Sequence, residues 1–205
     1  MDVKGPSRRA SSAPRPRRGM PYETRSRLVA AAAELFNRVG FYGTDSNRIA
    51  HAAGYSTGVF YKHFKDKREI FLAAYEAWSI AEWKKVATIV SNGGSDREIA
   101  TQLVLMFIDV HTEWRGLLAS LRQLVFTDAT VRRFHRRQRK RQLERIAELR
   151  AARHVSPRHR EQDILYLYAT ERTFDAIAQG EIRALGLKRE LVIDAMVEST
   201  IAVLS

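Results

Sequence analysis

The chain has no cysteine. Disulfides, thiolate metal sites and cysteine nucleophiles are excluded together. It also lacks any apolar run of about 18 residues, so no membrane span is expected. The arginine-rich start has no apolar centre of the kind a signal peptide needs, and a cytoplasmic protein is expected. Phosphate-cradling glycine loops, G-x-S-x-G and H-E-x-x-H are missing. The histidines at 51, 63, 111, 135, 154 and 159 lack metal-ligand spacing with carboxylates. The sequence therefore assigns no catalytic residue, no metal ligand and no cofactor, and an enzyme is not expected. Acid is the scarcer charge: 23 Asp and Glu face 35 Lys and Arg, a formal charge of +12. That surplus favours polyanions.

What is present is enough apolar residue for a core, 45% of 205 positions. The first twenty residues, MDVKGPSRRASSAPRPRRGM, carry six Lys and Arg against one Asp and no periodic apolar position. Such a segment cannot bury enough surface to order itself, and it reads as a disordered basic arm. It serves either to neutralise DNA phosphates or reach a minor groove, or as a solvated tail. From Pro21 the pattern is helical throughout, with no sustained strand alternation. The expected fold is all-α, with about nine helices: 22–39, 46–53, 57–63, 67–91, 96–113, 115–125, 129–153, 158–179 and 188–204.

The second and third of these are short. Thr44 or Asp45 can cap the first of the pair, whose inward positions are Ile49, Ala50 and Ala53; Gly54 ends it, and Ser56 caps the next. Asp66 caps the helix that follows. Ala50 allows close approach and Gly54 supplies the turn, so 46–63 is a helix-turn-helix candidate. In such a unit the second helix enters the major groove with its N-terminal side chains on base edges. Thr57 offers a hydroxyl and a methyl, Gly58 lets backbone approach, Tyr61 and His63 can hydrogen-bond phosphate or base, and Lys62 and Lys67 add cations. Lys67 also stands at a positive helix end. For each of these, the alternative is a solvated surface residue.

These residues resemble the TetR-like family of bacterial transcriptional regulators. The shared pattern reads here as Gly40-Phe41, Thr44, Ile49-Ala50-His51-Ala52-Ala53-Gly54, Ser56-Thr57-Gly58-Val59-Phe60-Tyr61-Lys62-His63-Phe64, and Lys67 with Glu69. Asp45 departs from it, where the family commonly has a second Thr, as does Arg68 directly after the lysine. The resemblance implies base or phosphate contact for Thr57, Gly58 and Tyr61, and phosphate contact for His63 and Lys67. Ser46, Asn47 and Arg48 are further phosphate candidates. It also implies residues 21–66 as the helix-turn-helix domain and 67–205 as an effector-binding and dimerisation domain. The implied function is a dimeric regulator of double-stranded DNA, a repressor released from a palindromic operator by an unidentified small molecule. The alternatives are an activator, or a basic DNA-binding regulator with no effector.

Beyond residue 90 the sequence is less specific. Trp78, Trp83, Met106, Phe107, Val110, His111, Trp114, Leu117, Leu121, Phe126 and Tyr166 fall at helical spacing and form either an effector pocket or plain core. If buried, His111 and Trp114 need a polar partner. The last two helices are apolar around more than one face, as a homodimer interface requires. A dimer would place two recognition helices about 34 to 36 Å apart, or a multiple. Residues 132–142, RRFHRRQRKRQ, carry seven Lys and Arg. They read as a solvated face, an entrance for an acidic ligand, or a second polyanion contact.

Overall fold

The computed structural model describes residues 20–205, and these contain helices and no strand. The expected basic arm lies outside the described residues except for Met20. The helices are α1 (Pro21–Val39), α2 (Ser46–Ala52), α3 (Thr57–His63), α4 (Lys67–Ser91), α5 (Asp96–Glu113), α6 (Arg115–Thr127), α7 (Ala129–Ala152), α8 (Arg160–Ala178), α9 (Glu181–Ala184) and α10 (Arg189–Leu204). None is long and apolar enough to cross a membrane. The one element without a sequence counterpart is α9. This single turn sits between Gly180 and Gly186, both at positive φ, where the sequence suggests only a break.

Local chemistry accounts for most boundaries. Pro21 opens α1, where its missing N–H costs nothing. Asp45, rather than Thr44, caps α2 by accepting from the Arg48 N–H at 2.9 Å. Asp66 caps α4 through the Glu69 N–H at 2.7 Å. Ser56 occupies the cap position of α3, but its hydroxyl makes no capping bond. Gly54, at φ 80°, makes the α2–α3 turn, closed by the Tyr55 N–H donating to Ala50 O at 2.9 Å.

Two cores form. The first gathers Leu28, Phe36, Ile49, Phe60, Phe64 and Phe71 of α1–α4, and continues into Leu117, Leu121, Val131 and Phe134 of α6 and α7. The second is built from Val86, Ile99, Val104, Phe174, Val197 and Leu204 of α4, α5, α8 and α10. The long helix α4 belongs to both: Phe71 and Tyr75 lie in one and Val86 in the other. It therefore joins the N-terminal helices to the rest of the molecule. The first core also runs past residue 66, so the N-terminal unit shares its interior with the helices above it.

Candidate DNA-binding surface and effector cavity

A seven-residue helix is marginal in water by itself, and α3 is held from below. Phe60 is fully buried and Phe64 nearly so, with the Arg25 guanidinium 4.9 Å from the centre of the Phe64 ring. Its outer side carries Gly58, Tyr61 and Lys62, all exposed, with Thr57 and His63 half-buried. Tyr61 is 57% exposed and its ring rests edge-on against Phe60, centroids 5.2 Å apart. Nothing inside the molecule requires glycine at 58: an added Cβ would meet only Ser56 Oγ, at 3.9 Å. The Thr57 hydroxyl donates to Asn47 Oδ1 at 2.8 Å, joining the starts of α2 and α3. Ser46, half-buried, and Asn47, exposed, flank this contact.

Two candidates are placed differently from the expectation. Two of the three N–H groups of the Lys67 ammonium are used inside the protein. Its ammonium donates to Phe41 O at 2.8 Å and Thr44 O at 2.9 Å and lies 4.3 Å from the centre of the Phe41 ring. Burial lowers its pKa, against a partial opposing pull from Asp45. Lys67 thus clamps the α1–α2 connection with a charge that carbonyls and an aromatic face have already taken up. The Arg48 guanidinium, on an exposed residue, donates to Gly43 O. Among the described residues, Lys62 is an exposed cation on the reading face itself.

Above this unit lies a cavity of about 400 Å³. Of the expected pocket residues, Trp78, Trp83, Phe107, Val110, His111, Leu121, Phe126 and Tyr166 line it. Met106, Trp114 and Leu117 do not. Met106 packs against the second core. Trp114 and Leu117 belong to the first, Trp114 half-buried at the α5–α6 junction. The neighbours Met106 and Phe107 differ because successive helical residues point about 100° apart.

His111 finds its partner 64 positions away: its Nδ1 lies 2.9 Å from Asp175 Oδ1. The other oxygen of Asp175 accepts from Arg122 at 2.5 Å. Burial pushes the Asp175 carboxyl up, but His111 and Arg122 together bring it below its ordinary value. Glu171 is held by both terminal nitrogens of Arg139, and the Tyr166 hydroxyl pairs with Thr200 Oγ1 at 2.9 Å. The basic run on α7 is therefore divided. His135 and Arg139 face the cavity, whereas Arg133, Arg136, Arg137 and Lys140 are exposed. Burial and the nearby Arg139 lower the His135 pKa. Sequence reasoning missed Glu82, Arg122, Glu171 and Asp175. The available signal was a charged residue on the same helical stripe as apolar ones, as in Trp78–Glu82.

Between surface and cavity stands α6. One face lines the cavity with Leu118, Leu121, Arg122 and Val125. The other meets α1 so closely that a Cβ on Gly116 would lie 1.8 Å from Asn37 O. The start of α6 has no side-chain cap of its own. Asn37 of α1 supplies one, its Oδ1 accepting from the Gly116 and Leu117 N–H groups at 3.0 and 3.3 Å. Asn37 Nδ2 donates to Glu113 O at 2.7 Å. At the far end of α6, Arg132 donates to Val125 O at 2.9 Å and Phe126 O at 2.6 Å.

Helices α8 and α10 bury Phe174, Val197 and Leu204 inward. Outward they leave a groove lined by Leu165, Ala169, Leu187, Leu191 and Ala195. Leu165 is 67% exposed and Leu191 63%, so both helices are apolar on two sides.

Residues 28–74 match the family model described as "Bacterial regulatory proteins, tetR family". The HTH-type transcriptional regulator AcrR of Shigella flexneri is 40% identical over 60 residues, which cover 29% of this chain and 26% of that protein. The match thus spans about a quarter of that relative's length. Solved structures extend the likeness in fold. A TetR-family transcriptional regulator from Rhodococcus sp. superposes with a TM-score of 0.66 at 19% identity, over 90% of this chain and 100% of that one. The regulator FadR from Bacillus subtilis, in complex with stearoyl-CoA, gives 0.63 at 14% identity, over 88% and 99%. The chain is TetR-like: residues 28–74 match the model of the tetR family of bacterial regulatory proteins, and the helices that follow carry the fold of the solved TetR-family regulator.

Proposed function

We propose that the chain is a homodimeric, cytoplasmic regulator of transcription rather than an enzyme. It binds double-stranded DNA through α3 and is released from a palindromic operator by a small, mostly apolar molecule in the cavity. The observation that carries this reading is the presentation of Gly58, Tyr61 and Lys62 on the free side of a helix whose opposite side, Phe60 and Phe64, is sunk in the core. Two further features support it. The exposed leucines of the α8–α10 groove give a second copy an apolar surface to cover. The cavity stands one helix away from α1, through α6. That a related fold holds stearoyl-CoA supports an apolar occupant. Tyr61 and Lys62 contact base or phosphate, Thr57 and Asn47 fix how α2 and α3 meet, and Ser46 and His63 lie beside the phosphate path. Lys67 and Arg48 act indirectly, by shaping the α1–α2 connection.

Selection of bound duplexes from a random pool tests the reading. The expected product is an inverted repeat whose half-site centres are one helical turn, or a multiple, apart. Adding the effector should lower affinity; a rise would refute release by the small molecule. Tyr61→Ala should weaken binding tenfold or more, the scale of about 1–3 kcal/mol for a lost DNA contact, with an unchanged melting temperature. Wild-type affinity in a Tyr61→Ala, Lys62→Ala double variant would refute the assignment.

A further inference from the structure

The α4 wall of the cavity carries Tyr75, Trp78, Glu82, Trp83 and Val86. Glu82 is only 6% exposed on this largely aromatic surface. Its Oε1 accepts from Lys85 at 3.0 Å, a lysine half-exposed to solvent. Its Oε2 is buried with no partner. The other acids of the cavity differ: Glu171 is held by Arg139 and Asp175 by Arg122 and His111. A buried carboxylate oxygen without a donor is unfavourable, so the wall is chemically unfinished at this point. One helical turn earlier, Trp78 Nε1 is also buried without an acceptor. The rings of Tyr75 and Trp78 lie 5.2 Å apart, whereas the Trp83 ring is already faced by the Arg145 guanidinium at 5.3 Å. A carboxylate set among aromatic rings favours a cation that has left water.

An anionic ligand meets the opposite situation. The charges of Arg122 and Arg139 are already opposed by carboxylates through their terminal nitrogens, and Arg139 keeps only a buried Nε–H without an acceptor. Arg150, buried on the same cavity, keeps one unpartnered N–H at Nε. Its terminal nitrogens, however, are engaged by Val203 O and Ser156 O, so an acid would have to share a guanidinium that is already in structural use.

We propose that the cavity takes a lipophilic amine, its ammonium on Glu82 Oε2 beside Tyr75 and Trp78, and its apolar body along the aliphatic walls of α5 and α6. This deepens the effector-site reading above and rests on it. An oxygen acceptor on the ligand about one helical turn from the ammonium would also satisfy Trp78.

Titration calorimetry of the full chain with decylamine and with decanoate, near neutral pH, separates the possibilities, because the two share an apolar tail and differ in the sign of the head. Decylamine should bind wild type at least tenfold more tightly than decanoate. Glu82→Gln, which keeps size and shape, should lower decylamine affinity tenfold or more and leave decanoate unchanged. Tighter binding of decanoate by wild type, or decylamine affinity unmoved by Glu82→Gln, would overturn the amine assignment and leave the cavity standing as an effector site. Failure of wild type to bind either compound would overturn the amine assignment and count against the effector-site reading as well.

Discussion

Gly116→Ala is a test of sign. Helix propensity alone favours alanine over glycine by about 1 kcal/mol, so an unconstrained helical glycine is stabilised by the exchange. The α1–α6 contact requires the reverse. A Cβ at 116 would stand 1.8 Å from Asn37 O and 2.8 Å from its carbonyl carbon. Contacts below 3.0 Å do not occur, so the two helices must part by roughly 1.2 Å, and the obstacle is backbone that no rotamer change removes. Parting them breaks the three hydrogen bonds of Asn37, each worth about 1 kcal/mol net. It also disturbs a core in which Phe36 and Leu117 are fully buried, and such overpacking costs about 1–3 kcal/mol. After the propensity gain is offset, the net loss is about 3–5 kcal/mol, or a fall of about 6–20 °C in Tm for a chain of this size. Thermal and urea unfolding followed by helical circular dichroism would measure it. Asn37→Ala, which loses the three bonds without the clash, should lose about 3 kcal/mol. An equal or higher Tm for Gly116→Ala would refute the close approach of α1 and α6.

Lys67→Ala should destabilise by about 2 kcal/mol, because Phe41 and Thr44 lose their donor in a half-buried site; a shift under about 0.5 kcal/mol in urea unfolding would return Lys67 to the role of a free surface cation. Leu165→Glu together with Leu191→Glu should convert dimer to monomer in sedimentation velocity, with helical content preserved; an unchanged dimer would place the interface elsewhere. Asp175, with its folded pKa depressed below the ordinary carboxylate value of about 3.9, contributes stability that is fully present above that value and is lost as pH falls through the folded pKa. The stability difference between wild type and Asp175→Asn should therefore be flat above about pH 5 and shrink below about pH 4. A difference that persists unchanged into that acid range would show that the His111 and Arg122 contacts do not depend on the carboxylate charge.

Where the chain's chemistry is local, the sequence told it plainly. Asp45 and Asp66 cap helices they immediately precede, Gly54 turns the chain where its φ must be positive, and Phe60 and Phe64 point inward because they lie four apart. Long-range partners were illegible. Nothing near Lys67 in the sequence announces that carbonyls 23 and 26 positions earlier would accept hydrogen bonds from its ammonium. The Asp175 partner of His111 and the Asn37 cap of α6 are likewise products of tertiary approach. The cavity shows both situations: spacing along α4 brings Trp78 and Trp83 to one wall, but helical phase alone could not show that Met106 turns away from the space Phe107 lines. The acids that give the cavity its character escaped because periodicity tracks apolar residues, and Glu82 and Asp175 occupy positions that apolar periodicity would have given to hydrophobes.

Helix α6 has neither end to itself. Asn37 of α1 holds its first N–H groups, and Arg132 of α7 holds two of its last carbonyls. A helix pinned in this way cannot fray, and a side-on push cannot be absorbed by unwinding a turn. It behaves as a stiff rod with pivots in two different layers of the molecule. A guest that spreads the cavity by bearing on Leu121 or Val125 must therefore either leave the rod where it is or carry α1 along with it, which is an all-or-none mechanical choice. Slow amide exchange at both ends of α6, with and without a bound guest, would be the signature of such a member.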